Sequence, residues 1–440
     1  MRRYILFVLL AILALSLVTT MYYPLSIILT VIVFWCTLEK FGKGIVLLET
    51  MALYSCIIYI LMPILGYSVY NSDNRVAILW NRVMPVSSDR YYSFMLPAIT
   101  TYIIGLFLIN YSKGRPDEGS KLEQFVVRLK QRREQPGKVG LWLIGAGLIF
   151  YFVRLAVPGG LAAVASFGYL LIFPGLLYLH FQPSFRGRSW VYLVVTAFLV
   201  RDAINTGMFT VFFYMGITMV SFFFVGKRIR LPIKLGVVII AICGVFILQL
   251  VKVSYRRNTW KNNYEGSKAL LFQDLFIEKA AGFQEVFSVN NFFPIYARLN
   301  QGYVTAMVIR RIPSQQPYDD GESIAKTLAA SLVPRVLWPD KPEAGGVYNM
   351  WHFAGFRLRG WSTNIGPVGE GYGNFGPTGG IIYMFFFGLF IGWAYKMVFV
   401  RARKTPLLLL WIPLLFFEVT YAMENDTLQA VNSLLKASFF

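Results

Sequence analysis

The sequence predicts an all-α, polytopic membrane bundle of about 11–12 transmembrane helices with one long, partly helical outer loop. Three observations predict it. The composition is 56% hydrophobic and 17% aromatic, with only 15% charged residues, which makes the bilayer the natural solvent. Apolar runs near the ~20 residues that cross a ~30 Å hydrocarbon core recur along the chain, and shorter runs suffice where their ends snorkel. The basic residues fall in the gaps between these runs, so the net charge of +20 reads as a topology signal and not as a nucleic-acid surface. Cys36, Cys56 and Cys243 lie inside apolar runs without paired spacing, which indicates neither a disulfide framework nor a thiolate metal site.

Arg2 and Arg3 place the N-terminus on the cytoplasmic side. The run behind them resembles a signal peptide but has no small-residue cleavage site, and it is read as a retained first span from Tyr4 to Thr20. Span two begins at Pro24 and ends before Leu38, span three covers Ile45 to Gly66, and span four runs from Tyr92 to Asn110. The segment Tyr111 to Lys138 carries eight Lys or Arg against four acids and should be cytoplasmic. Its centre reads as an amphipathic helix on the inner leaflet or as a solvated basic linker. Spans five and six, Val139 to Val157 and Leu161 to Phe181, meet at Pro158-Gly159-Gly160.

Trp190 to Val225 is 36 residues long, about 54 Å as helix, with basic residues at both flanks. Positive flanks on one side require an even number of crossings, so the chain must turn near Arg201 to Thr206. Arg201 then lies about one turn below the outer surface, a functional position by default, with Asp202 or a ligand anion as its partner. Span nine covers Leu235 to Val251, span ten Pro377 to Val400 and span eleven Pro406 to Tyr421. Asn425 to Phe440 reads as either an interfacial helix or a short final span. In this scheme 22 Lys and Arg are inside and six are outside, the long loop excepted. Arg154 is counted among the six as a snorkelling side chain.

Three parts follow: an N-terminal bundle 1–251, a long outer loop 252–376 and C-terminal transmembrane helices 377–440. Stripes of Phe272, Phe276, Ala280, Phe283 and Phe287, and of Ile324, Leu328 and Leu332, predict two amphipathic helices on the membrane face of the bundle. Arg298, Arg310, Arg311, Arg335, Lys341, Arg357 and Arg359 lie outside the positive-inside zone, which suggests binding of phosphate or carboxylate. Seven glycines between Gly366 and Gly380 suggest an irregular nest of backbone N–H groups at the mouth of span ten. Glu370 is the best-placed carboxylate for a general base, with His352 and Asp340 behind it. No metal-binding motif stands in the loop, and a bound catalytic metal is not expected.

The residues PRVLWPDKP, followed by GPVGEGYGNFGPTGG opening a transmembrane helix, resemble the C-terminal signature of Wzy-type oligosaccharide repeat unit polymerases, the O-antigen and exopolysaccharide polymerases. The resemblance covers about Ser331 to Gly380, and Arg201 is similar to an arginine which that family places in a short span before its long loop. Over the first half it amounts to a multi-span hydropathy pattern.

The resemblance implies a metal-independent, inverting membrane glycosyltransferase without cofactor at the periplasmic face of the bacterial inner membrane. It would move a growing glycan from undecaprenyl pyrophosphate onto a lipid-linked repeat unit, among membrane lipids and beside a flippase and a chain-length regulator, with no nucleic-acid partner. Glu370 would deprotonate the attacking hydroxyl, and Arg201 and Arg335 would stabilise the pyrophosphate, with Arg298, Lys341, Arg357, Arg359, His352 and Asp340 binding substrate. Two other classes compete. An O-antigen ligase would share the chemistry with a different acceptor, and a lipid-linked oligosaccharide transporter would lack so large a polar loop. A glycosyltransferase of the more usual polyprenyl-phosphate type would carry acids in its first outer loop, which here is Met21-Tyr22-Tyr23. The sugars and their linkage are not encoded in any recognisable pattern.

Overall fold

The computed structural model describes residues 2–111, 136–157, 159–181, 186–261, 264–333, 337–340, 346–358 and 363–439. These residues form an all-α membrane bundle, and no strand occurs among them. Seven helices are long and apolar enough to cross a membrane, and shorter apolar helices accompany them at Tyr4–Val18, Tyr214–Phe224 and Pro406–Leu415. The basic segment centred on LEQFVVRLKQRR lies outside the described residues.

The first four spans are α1 (Arg2–Val18), α2 (Tyr22–Lys40), the pair α3 (Leu47–Cys56) and α4 (Met62–Ser68), and, after the short α5 (Arg75–Leu79), α6 (Ser88–Tyr111). A π turn at Ile57–Leu61 joins α3 to α4. Its cause is local: Pro63 has no N–H to give to the carbonyl four residues back. Tyr91 Oη donates to that Tyr59 carbonyl at 2.8 Å, and Tyr92 Oη donates to Ile60 at 2.8 Å. Two tyrosines of α6 thus satisfy acceptors that an apolar interior would otherwise leave bare.

Next come α7 (Pro136–Ala156), α8 (Gly159–Tyr169), α9 (Ile172–Phe181), α10 (Arg188–Thr206), α11 (Thr210–Phe224) and α12 (Leu231–Arg256). The turn required between the two crossings of 190–225 stands at Gly207, which caps α10 in the left-handed region at φ 64°. Asp202 does not pair with its neighbour Arg201. Arg154 of α7 takes both its oxygens at 3.1 Å, Tyr169 donates to it at 3.3 Å, and the guanidinium lies 4.5 and 4.4 Å from the Tyr151 and Tyr169 ring centres. Arg154 is therefore a clamp between α7 and α10 and not a snorkelling side chain. In a low-dielectric setting a partner charge at bonding distance outweighs the solvation available at the interface. Asp202→Asn should destabilise the protein by about 3 kcal/mol, since it strands the guanidinium. The check is a thermal midpoint in detergent against Arg201→Gln, which should change little.

The long loop holds α13 (Lys268–Ala281), α14 (Val289–Leu299), α15 (Gly302–Arg311), α16 (Glu322–Leu332) and α17 (Val347–His352). The Ile324–Leu332 stripe falls on α16, whereas the Phe272–Phe287 stripe is α-helical only to Ala281 and continues after Gly282 as a 3₁₀ turn over Phe283–Phe287. The chain then enters α18 (Gly366–Arg401), which breaks at Gly376, φ 69° and ψ −170°. Its lower half runs parallel to α6 at very close range: an added Cβ on Gly105, Gly388 or Gly392 would meet the backbone of the other helix. Small residues allow this approach, and polar side chains lock it. Thr101 Oγ1 donates to the Ile381 carbonyl at 3.0 Å and Asn110 Nδ2 to the Gly392 carbonyl at 2.9 Å.

Span eleven is not one helix. From Pro406 it breaks into a 3₁₀ piece (406–411), α19 (Ile412–Leu415), α20 (Phe417–Thr420) and a 3₁₀ turn (422–424), with Pro406 and Pro413 each removing a ladder donor. The terminal helix α21 (Thr427–Phe439) packs on α16 of the long loop and against α19 and α20.

Candidate functional site

The glycine-rich stretch does not form an open nest. Gly366 to Phe375 is helical and buried through Asn374, Phe375 being exposed, with only Gly366 and Gly376 at positive φ. The glycines here admit neighbours and do not expose N–H groups. Gly371 leaves room for the Tyr383 ring, and Gly373 leaves room for Phe353. The break at Gly376 frees the last carbonyls of this short helix, and the long loop uses them. Asp319 N donates to Gly373 O at 3.1 Å and Asp320 N to Asn374 O at 3.0 Å.

Glu370, on this helix, is 3% exposed. Asn349 Nδ2 donates to its Oε1 at 2.8 Å, Thr427 N donates to Oε2 at 3.0 Å, and the Thr427 hydroxyl is also bonded to Oε2. Tyr383 Oη lies 2.5 Å from that hydroxyl. Asp426 caps the same helix start, its oxygens accepting from Gln429 N at 2.6 Å and Asn364 Nδ2 at 3.0 Å. Two carboxylates therefore converge on the N-terminus of α21, where unpaired N–H groups and the helix dipole favour negative charge.

Above this floor opens a cleft of about 1040 Å³ between α16, α17 and the start of α21. Asp319, Asp340, Asp426, Lys326, His352 and Arg357 bring charge or titratable groups to its wall. Tyr348 and Trp351 add two aromatic faces, 53% and 47% exposed. His352 Nε2 lies 2.9 and 3.0 Å from the two Asp319 oxygens and 3.1 Å from Gln316 Nε2. Tyr348 stacks on the imidazole with ring centres 5.1 Å apart. Burial first, and then the charge of Asp319, push the Tyr348 phenol above its ordinary range, so it meets the cleft as a neutral hydroxyl.

A second polar cluster lies on the other side of the 422–426 turn. Arg298 Nη2 donates to Glu424 Oε2 at 2.5 Å, Tyr54 Oη is bonded to Glu424 Oε1, and Tyr214 Oη lies 3.0 Å from Tyr54 Oη. The Glu424 carboxylate raises the guanidinium of Arg298 further above its already high ordinary value, so the guanidinium stays charged. Arg298 is thus committed to a protein carboxylate.

Of the predicted site residues, the structure brings Asp340, His352 and Arg357 to one cleft, with Glu370 beneath it behind Asn349. Arg298 lies in the neighbouring cluster, and Arg201 is exposed on α10 without an ion pair among the described residues. Arg335, Lys341 and Arg359 lie outside the described residues. Asp319, Asn349, Glu424, Asp426 and Thr427 are not among the residues the sequence singles out. The run Glu424-Asn425-Asp426-Thr427, four polar residues after an apolar span with an Asp ahead of a helix, was the available signal for the last three. Asp319 and Asn349 carried none.

Residues 217–397 match a family model described as a domain of unknown function, DUF8712. The match contains Arg298, Asp319, His352 and Glu370, and ends before Glu424 and Asp426. No curated protein and no solved structure matches the chain.

Proposed function

We propose that this protein is a membrane glycosyltransferase that polymerises oligosaccharide repeat units carried on undecaprenyl pyrophosphate. The observation that carries the reading is the cleft. A volume of about 1040 Å³ at the loop end of an apolar bundle, with exposed Tyr348 and Trp351 beside Asp319, Asp340 and His352, suits a short glycan. Sugars offer apolar ring faces to aromatics and hydroxyls to carboxylates, and a lipid tail extends into the adjoining membrane. The resemblance of Ser331 to Gly380 to Wzy-type polymerases supports the same assignment.

In this reading the N-terminus is cytoplasmic, the long loop faces the periplasm of a bacterial inner membrane, and a flippase supplies the substrate. Transfer inverts the anomeric centre, and the pyrophosphate departs as charge develops on it. Arg201 and the loop cations Arg335, Lys341, Arg357 and Arg359 would stabilise that charge. Glu370 holds the floor of the cleft to α21.

Gel analysis of surface glycan in a deletion strain tests the function. Loss of the long ladder with retention of single-repeat glycan, restored by the intact gene, is the expected result. An unchanged ladder overturns it. Ladders that persist on the lipid carrier but never reach lipid A core would instead identify an O-antigen ligase.

A further inference from the structure

The general base of the proposed transfer needs an accessible, oriented proton acceptor, and the structure leaves Glu370, Asp426 and Glu322 poorly placed for that role. Glu370 has both oxygens engaged by three donors and does not reach the cleft wall. Both Asp426 oxygens are occupied by the cap of α21 and by Asn364. Glu322 is tied to Lys326 at 2.5 Å in an exposed pair on one helix face.

One group in the cleft has the arrangement that proton abstraction needs. His352 is partly accessible, its side chain 22% exposed, and it is oriented by the carboxylate of Asp319. The charged carboxylate at 2.9 and 3.0 Å from Nε2 is a stronger partner than the neutral Gln316 amide at 3.1 Å, and it selects the tautomer with the proton on that nitrogen. Nδ1 is then the basic nitrogen, and it has no hydrogen-bond partner among the described residues. The ring itself cannot drift. Tyr348 stacks on one face, and Phe353 meets it edge-on with centres 4.7 Å apart. Both halves of the pair are set by a single residue of the glycine-rich helix. Gly373 gives its carbonyl to Asp319 N, and its missing Cβ admits the Phe353 ring beside His352. A structural ion pair would need neither the accessible imidazole nor a cleft in front of it.

We infer that the Asp319–His352 pair is the proton acceptor of this site, with His352 Nδ1 activating a sugar hydroxyl held in the cleft. The inference rests on the polymerase reading. In the step, the acceptor hydroxyl gives its proton to Nδ1 as its oxygen forms a bond to the anomeric carbon of the donor glycan. The bond from that carbon to the phosphate oxygen breaks, and the lipid pyrophosphate leaves with the electron pair. Asp319 keeps the Nε2 proton and stabilises the imidazolium, which later returns its proton to water. Asp319 is a positioning residue and His352 the catalytic one.

The test uses the full chain in lipid nanodiscs with a synthetic lipid-linked repeat unit. His352→Ala should lower kcat by about a hundredfold or more with KM little changed, the usual range for a lost general base. Added imidazole should restore turnover in a saturable way, because the cleft has room for it. Asp319→Asn should lower kcat similarly, Asp319→Glu should recover part of the loss, and neither should be rescued by imidazole. Should His352→Ala fold poorly, His352→Gln read by the same kcat and KM decides the matter. Wild-type turnover with His352 variants near wild-type kcat, or a loss confined to KM, overturns the pair while leaving the polymerase reading intact. A wild-type protein that makes no polymer overturns both.

Discussion

Valine at Gly388 is expected to remove most of the folded protein from the membrane. The site is the parallel contact of α6 with the lower half of α18, where Gly388 faces the Tyr102 carbonyl. An added Cβ meets backbone there, so no rotamer change relieves it. At Gly392 the corresponding distance to Leu106 O is 2.7 Å, which shows that the tight approach continues for another turn. Overpacking of this kind costs about 1–3 kcal/mol in a well-packed core. Separation of the helices also strains the Thr101 and Asn110 bonds to α18, interhelical bonds typically worth about 1 kcal/mol each. Together these are a large fraction of a marginal stability, and monodisperse yield should fall about tenfold. Gly244 of α12 supplies the control, since nothing lies within 4 Å of its would-be Cβ. Fluorescence-detected size exclusion of both valine variants distinguishes tight packing from a general intolerance of β-branching.

Removing the carboxylate of Glu370 is the second large effect. Glu370→Ala strands the buried Thr427 N and removes one partner each from the Thr427 hydroxyl, which keeps Tyr383, and from the part-buried Asn349 amide at the cleft. The stranded Thr427 N costs about 1–3 kcal/mol and the two weakened donors less, so a total of roughly 2–4 kcal/mol follows. The consequence for architecture is specific: α21 loses its anchor on α18, and the cleft loses the wall carrying Asp426. The C-terminal helix should become sensitive to limited proteolysis near 425–427 while the bundle stays intact. Glu370→Gln retains the shape but sets an amide N–H₂ against a donor, and should fall between the two. A variant whose only defect is slower turnover, with a protected C-terminus and an unchanged thermal midpoint, would return Glu370 to the role of base. Glu322→Ala, an exposed change, is expected to lie within about 0.5 kcal/mol of wild type.

Local chemistry decided how much could be read in advance. Spans were legible because each apolar run must satisfy its own backbone, and the paired basic flanks of 190–225 fixed the turn that Gly207 makes. Of the loop helices, α13 and α16 were legible from their stripes, while α14, α15 and α17 were not. The glycine-rich stretch was recognisable as special but not in its conformation, because the same residues serve an exposed nest or a tightly packed helix. Phe353 and Tyr383, distant in sequence, select the helix. The partners of Glu370, Asp202 and Arg298 come from residues 57, 48 and 126 positions away, so only the tertiary fold could name them.

Elongation of a lipid-linked glycan at the cleft is the activity proposed for this protein. The most direct measurement is mass spectrometry of products formed by the purified chain in nanodiscs from a single synthetic undecaprenyl-pyrophosphate repeat unit. Products at integer multiples of the repeat mass, with free lipid pyrophosphate released in step, are the predicted result. Substrate recovered unchanged, or transfer seen only to lipid A core, would contradict it.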